Sequence, residues 1–255
     1  MLSKNKIKLI KSLGQKKYRA ETHLFLAEGN KLVSDLLPYF ECVLLAATDC
    51  WLAGKSHIAA REIVEVSQAE IDKASLLKNP QHVVGVFRQA DYLPDADLLK
   101  DRLSIVLDDI QDPGNLGTIV RVADWFGIEH IICSPNSADI YNPKAIQSTM
   151  GAIARVQVHY TPPADFVRTL AAGKNFPVYG TFLDGESIYS QKLASRGLIV
   201  MGNEGKGIGR DLREVVSHKI YIPNYPEERK TSESLNVALA TAIACAEFRR
   251  QNRQA

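Results

Sequence analysis

LSIVLDDIQDPGNLGTIVRVADWFGIEHIICS (residues 103–134) is the stretch whose reading decides the fold. An apolar, β-branched run, LSIVLD, stops at two aspartates and a Pro-Gly-Asn turn. A helical period follows over 115–126, with Asn115 expected as its N-cap and Leu116, Ile119, Val120, Ala123 and Phe126 as its buried stripe. HIICS is then a second short strand with no polar alternation. Two strands apolar on both faces, joined through a helix, are a parallel pair covered on each side.

The same rhythm runs to the C-terminus. RVQVHY, PVYGTF, LIVMG and KIYIP are further strands, and 143–150, 163–173, 209–217 and 234–250 are helical segments. The expected class is α/β, a mainly parallel sheet with helices on both faces. The first 90 residues have a different texture. Residues 3–19 place Ile7, Ile10 and Leu13 at helical spacing among lysines, and HLFLAEG, FECVLLAA, EIVEVS and HVVGVF are short strands. NKLVSDLLPYF and SQAEIDKASLL are helices between them. The expected organisation is a small α/β domain over 1–90, a linker or short bridging helix over 91–102, and a larger α/β domain over 103–255.

The chain of 255 residues has a formal charge of +2, too small to name a partner. Its distribution says more: Lys4, Lys6, Lys8, Lys11, Lys16, Lys17 and Arg19 fall within the first twenty residues without one acid, and Arg249, Arg250 and Arg253 end the chain. This pattern suits a polyanion, or equally a solvated helix face. Cys42, Cys50, Cys133 and Cys245 form no C-x-x-C pair and the six histidines are scattered, so neither disulfides nor a metal site is expected. No signal-like or membrane-length apolar stretch occurs, and a cytoplasmic location is expected.

In a parallel α/β sheet, ligands bind beyond the carboxyl ends of the strands, and three such ends have unusual composition. On the first helix Gly117, Arg121 and Asp124 share a stripe. An interior glycine costs about 1 kcal/mol against alanine, so it commonly marks a close approach, here beside Arg121. The plainer alternative is a surface Arg121–Asp124 pair. The second end, GLIVMGNEGKGIGR (197–210), runs a strand into Gly202, Gly205, Gly207 and Gly209 around Glu204. Its spacing is neither a P-loop nor a dinucleotide fingerprint, and alone it is a loose glycine turn. The third, KIYIPNYPEERKTSESLNV (219–237), ends in a helix rich in small residues. Ser234 reads as its cap, and Asn236 as a polar oddity one turn in, or a satisfied core amide.

Taken in order, N-x-G-x-x-x-R, G-N-E-G-x-G and I-P…S-L-N-V resemble the SpoU/TrmH-type RNA 2′-O-ribose methyltransferases of the SPOUT class over residues 103–250. NPKAIQSTMGAIARVQV fits the same resemblance, and residues 1–88 are similar to the L30e-like substrate-binding domain of that family. The resemblance implies a C-terminal trefoil knot, S-adenosylmethionine as cofactor, RNA as substrate and a homodimer with the catalytic site at the subunit interface. It implies functional polar positions at Asn115, Arg121, Glu204, Ser234 and Asn236, and cofactor contacts around Thr181, Gly202, Ile222 and Leu235. Lys4, Lys8, Lys11, Lys16, Lys17 and Arg19 are the expected RNA contacts, and ribosomal RNA is favoured over transfer RNA. One departure stands out: IPNYPEERK replaces the family's usual I-P-Met with a glycine two residues later.

Within that reading Arg121 either acts as a base or binds a phosphate and stabilises the developing oxyanion. The second is favoured, because a guanidinium holds its proton tenaciously. Glu204 and Asn115 are expected to orient Arg121, the ribose or the phosphate. Two other readings compete: a non-catalytic RNA-binding or ribosome-assembly protein on the same fold, and a base methyltransferase of the same superfamily.

Overall fold

A computed structural model describes residues 1–172, 176–226, 232 and 234–252. In chain order its elements are α1 (Lys4–Ser12), α2 (Lys16–Thr22), β1 (Leu24–Glu28), α3 (Asn30–Leu36), β2 (Cys42–Ala47), α4 (Asp49–Leu52), β3 (Ile63–Glu65), α5 (Gln68–Ala74) and β4 (Val83–Arg88). There follow α6 (Ala96–Leu99), β5 (Leu103–Leu107), α7 (Pro113–Trp125), β6 (His130–Cys133), α8 (Pro143–Thr149), β7 (Gln157–Tyr160) and α9 (Pro163–Ala171). The last are β8 (Val178–Ser187), β9 (Gly197–Met201), α10 (Arg210–Arg213), β10 (His218–Tyr221) and α11 (Val237–Gln251). Two compact units form: residues 1–91 with 139–154, and residues 92–138 with 155–255. The second unit is therefore built from two separate stretches of chain.

The first unit holds a mixed four-stranded sheet in the order β1-β4-β2-β3, antiparallel except for β2 and β3. Its apolar floor joins Leu26, Val84 and Val86 to Ile10 and Leu13 of the N-terminal segment and Ile71 of α5. The helix expected over 3–19 is broken: the amides of Gly14 and Gln15 bond tightly to Lys11 O and Ser12 O, separating α1 from α2. Burial also divides the basic run. Arg19 is 2% exposed, its Nε and Nη2 donating to Asp139 Oδ2 at 2.9 and 2.7 Å and its Nη1 to Leu13 O at 2.8 Å. Arg19 is thus removed from the expected RNA contacts, because its guanidinium is consumed inside the unit.

The second unit is a six-stranded, wholly parallel sheet in the order β10-β8-β9-β5-β6-β7. β5, β6 and β9 are buried at every residue, as strands covered on both faces require. Alternation sorts their side chains. Val106, Ile132, Val178, Leu198 and Val200 pack with Leu99 of α6, Val167 and Leu170 of α9 and Leu212 of α10. On the opposite parity Tyr179 meets Phe248 of α11 edge to face, and α11 packs on α7. α10 is shorter than the 209–217 expected, and β8 is longer, meeting β10 in two registers with residues 181–185 bulging between them. Cys42, Cys133 and Cys245 are buried, which raises all three thiols, while Cys50 is exposed. Among the described residues no helix is long and apolar enough to cross a membrane.

The adjacent strands β6 and β7 carry a buried histidine pair, His130 and His159. His159 Nδ1 is 3.1 Å from Tyr92 O and must donate there, since a carbonyl only accepts. Its Nε2 therefore accepts, and His130 Nδ1 donates to it at 3.2 Å. This arrangement needs His159 neutral, since its Nε2 has to accept. Burial first, and for His130 the neighbouring ring next, lowers both pKa values below the ordinary histidine value. The unfolded chain then binds protons more readily than the native one, so this contribution is complete above about pH 6.5 and is lost as pH falls toward the depressed native values. Urea midpoints measured from pH 8 to 5 should be level above pH 7 and fall below it. His159→Gln should flatten that fall; an unaltered pH dependence would remove the pair as its cause.

Candidate active site

β5 and β9 are adjacent, with Leu107 opposite Met201, and the strand order reverses between them: β6 and β7 follow on one side, β8 and β10 lie on the other. Such a switch point opens a crevice at the carboxyl ends. The chain beyond β9 turns at Gly202, where a Cβ would lie 2.3 Å from Gly207 C and Ile208 N, so no other residue fits without moving the loop.

Three segments far apart in sequence meet here through one polar chain. Asn236 Nδ2 donates to Asn115 Oδ1 at 3.0 Å, and Asn115 Nδ2 donates to Glu204 Oε1 at 2.8 Å. The direction is imposed from one end. Asn236 Oδ1 accepts the amides of Ala238 and Leu239, capping α11, so its nitrogen has to point toward Asn115. Asn115 then offers its own nitrogen to the carboxylate. Among the described residues the second oxygen of Glu204 has no hydrogen-bond partner.

Two capping expectations are corrected. Asp112, not Asn115, caps α7, its Oδ1 accepting Asn115 N at 2.8 Å, because Pro113 occupies the first helical position. Asn236, not Ser234, caps α11, and Asn236 is exposed rather than a core amide. Each correction frees or redirects an amide for the site. Ser234 is exposed and takes no part in this chain of bonds.

Arg121 lies on the exposed side of α7 and, among the described residues, has no ion-pair or hydrogen-bond partner. The surface-pair alternative fails, because Asp124 is held by Arg155 Nε and Nη2 at 2.8 and 2.7 Å. Gly117, one turn before Arg121, is buried. The structure thus gathers Asn115, Glu204 and Asn236, while Arg121, further along α7, has no partner among the described residues.

Three contributors escaped sequence reasoning. Asp108 Oδ2 accepts Gly209 N at 2.7 Å, Asp109 O accepts Asn203 Nδ2 at 2.8 Å, and Asn203 Oδ1 accepts the amides of Gly205 and Lys206, each at 3.0 Å. Their signal was the Asp-Asp pair closing β5 and the asparagine preceding Glu204. Among the described residues no cluster of histidine, cysteine or carboxylate is arranged to hold a metal ion.

A parallel α/β unit with an oriented polar chain at its switch point defines a ligand-binding enzyme domain, and comparison with known proteins makes it specific. Residues 102–246 match the SpoU rRNA Methylase family and residues 4–85 the MRM3-like substrate binding domain. The chain belongs to the SpoU rRNA methylase family. It is 30% identical to the 23S rRNA (guanosine(2553)-2′-O)-methyltransferase RlmP of Bacillus subtilis, over 93% of each chain. Among solved structures it resembles a candidate RNA methyltransferase of the TrmH family from Porphyromonas gingivalis (39% identity, TM-score 0.89, 98% and 99% of the two chains). It also resembles an AdoMet-bound rRNA methyltransferase from Sinorhizobium meliloti (30% identity, TM-score 0.82, 98% and 96% of the two chains).

The residues expected to hold S-adenosylmethionine suit it chemically. Thr181 Oγ1 is tied to Val200 O at 3.2 Å across β8 and β9, and Gly202 presents bare backbone. Ile222 is half-buried, and Leu235 leaves 48% of its surface uncovered beside the cap of α11. Backbone dipoles with uncovered apolar side chains, and no charge among the four, fit a neutral purine nucleoside. The departure at 223–233 falls largely on 227–231 and 233, outside the described residues.

Proposed function

We propose that this chain transfers the methyl group of S-adenosylmethionine to a ribose 2′-hydroxyl of ribosomal RNA. The observation that carries this reading is the Asn236–Asn115–Glu204 chain, which joins the three motifs at the sheet's switch point. The bound cofactor supplies an activated methyl on a positively charged sulfur. What the protein has to supply is alignment and a field favouring alkoxide character on a weakly acidic hydroxyl. Glu204, fixed by Asn115, orients the ribose hydroxyl or Arg121. Arg121 binds the neighbouring phosphate and stabilises negative charge as it develops. Incubation with labelled cofactor and undermodified ribosomal RNA, followed by alkaline hydrolysis, tests this. Label should appear in dinucleotides resistant to cleavage; label in cleavable nucleotides would indicate base methylation, and none a non-catalytic protein.

The trefoil knot belongs to this reading. β10 lies at the sheet's edge beside β8, whereas α11 packs on α7 and β9, an arrangement compatible with such a knot. So does a homodimer. Trp125, one turn beyond Arg121 on α7, is 84% exposed, and Leu239 on α11 is 59% exposed. A second copy covering that face would also remove water from around Arg121 and strengthen its field. Sedimentation equilibrium reads the assembly directly.

For RNA the first unit offers the face of α1 and α2. A groove of about 560 Å³ between them is lined by Lys8, Leu9, Lys11, Gln15 and Tyr18. Lys4 and Lys16 flank it in sequence, and Lys17 holds only a loose surface pair with Glu21 at 3.8 Å. Each phosphate neutralised on a single strand contributes about 0.7 to the slope of log affinity against log salt. Replacing Lys8 and Lys11 by glutamine should therefore lower that slope by about 1.4 in RNA-binding titrations. An unchanged slope would place the RNA elsewhere.

A further inference from the structure

Asp109 has φ +58°, the left-handed region that a non-glycine residue rarely occupies. Such a conformation persists where surroundings over-determine it. Here they do. The Asp109 amide donates to Ser134 Oγ at 2.8 Å, Gln111 Nε2 reaches both the Asp109 carboxylate and Asn136 O, and the Asp109 carbonyl accepts Asn203 Nδ2 at 2.8 Å. Asn203 in turn closes a ring on its own loop through Gly205 N and Lys206 N, and its backbone exchanges two bonds with Gly207. Glu204 is the residue enclosed by that ring.

We propose that the backbone carbonyl of Asp109, turned by its left-handed conformation, and the Asn203 side chain form a clamp that positions Glu204 for methyl transfer. Both are positioning residues acting through Glu204, so the inference rests on the reading of Glu204 above. Without the clamp, a loop with glycines at 202, 205, 207 and 209 has many backbone states, and only some present the Glu204 carboxylate to Asn115. The carboxylate of Asp109 is secondary: it lies 3.5 Å from Asn203 Nδ2, against 2.8 Å for the carbonyl. What residue 109 has to provide is a tolerated positive φ.

The test is a set of variants assayed for kcat, KM for both substrates and melting temperature. Asn203→Ala should lower kcat by about tenfold to a hundredfold, as loss of alignment does, with a much smaller change in KM for the cofactor. Because Asn203 acts through Glu204, adding Asn203→Ala to Glu204→Gln should cost little beyond Glu204→Gln alone. Asp109→Asn and Asp109→Gly accept a left-handed backbone and should stay within about threefold of the parent, whereas β-branched Asp109→Val should lose as much as Asn203→Ala. If Asp109→Val does not fold, the Asn203/Glu204 cycle decides. Additive losses in that cycle, or an Asp109→Asn chain as slow as Asp109→Val, would overturn the clamp alone. A Glu204→Gln chain with the parent's kcat would overturn the reading of Glu204 and the clamp with it.

Discussion

Arg121→Ala should lower kcat by about 10²–10³, the usual loss when a preorganised donor to a developing oxyanion is removed. It should leave the melting temperature alone, because Arg121 is exposed and, among the described residues, holds no partner whose charge would be orphaned. A structural arginine behaves differently: the buried Arg19 satisfies Asp139 and Leu13, and its loss would be felt in stability. Arg121→Lys keeps the charge and discards the planar fork, so a partial loss marks a phosphate clamp. The pH–rate profile of the lysine variant separates the two roles. A base would bring in a new limb at the lysine's own pKa, while a clamp leaves the profile unchanged below about pH 9. A parent-like rate in Arg121→Ala would count against both. If a second copy covers Trp125, the rate per chain should also fall on dilution below the dimer's dissociation constant.

How much of this site was legible in the sequence depended on how local each cause is. Buried strands such as β5 and β9 carry their environment in their own composition, and the α/β class followed from alternation of such runs with helical periods. The gathering of Asn115, Glu204 and Asn236 rested on resemblance, since their partners lie 89 and 121 residues away. Where local chemistry was available and misjudged, the cause is specific. A proline at the first helical position makes the preceding residue the cap, so Asp112-Pro113 should have displaced Asn115 from that role. Arg19 offered no such cue. It is one of seven basic residues near the N-terminus, and its carboxylate partner, Asp139, lies 120 residues on. Asp109 was hidden differently, because its contribution is a main-chain oxygen and a dihedral angle, which side-chain chemistry does not announce.

Asn115→Asp tests the polar chain more sharply than a truncation does, because it changes one atom's chemistry and almost no volume. Asn236 can still donate to one oxygen of the new carboxylate, but the other faces Glu204 Oε1 where an N–H stood 2.8 Å away. A hydrogen bond to a charged group is worth about 1.5–3 kcal/mol, so kcat at pH 8 should fall about 10- to 100-fold. Two carboxylates at this distance cannot both ionise easily, and one pKa of the pair is raised above the ordinary carboxylate range. Below that raised value the shared proton restores an O–H donor between residues 115 and 204. The deficit of the variant against the parent should therefore shrink as pH is lowered. Asn115→Leu provides no proton to share, and its loss should be independent of pH. An Asn115→Asp chain as active as the parent at pH 8, or one whose deficit does not respond to acid, would mean that the amide bridging Asn236 and Glu204 is architecture rather than part of the catalytic alignment.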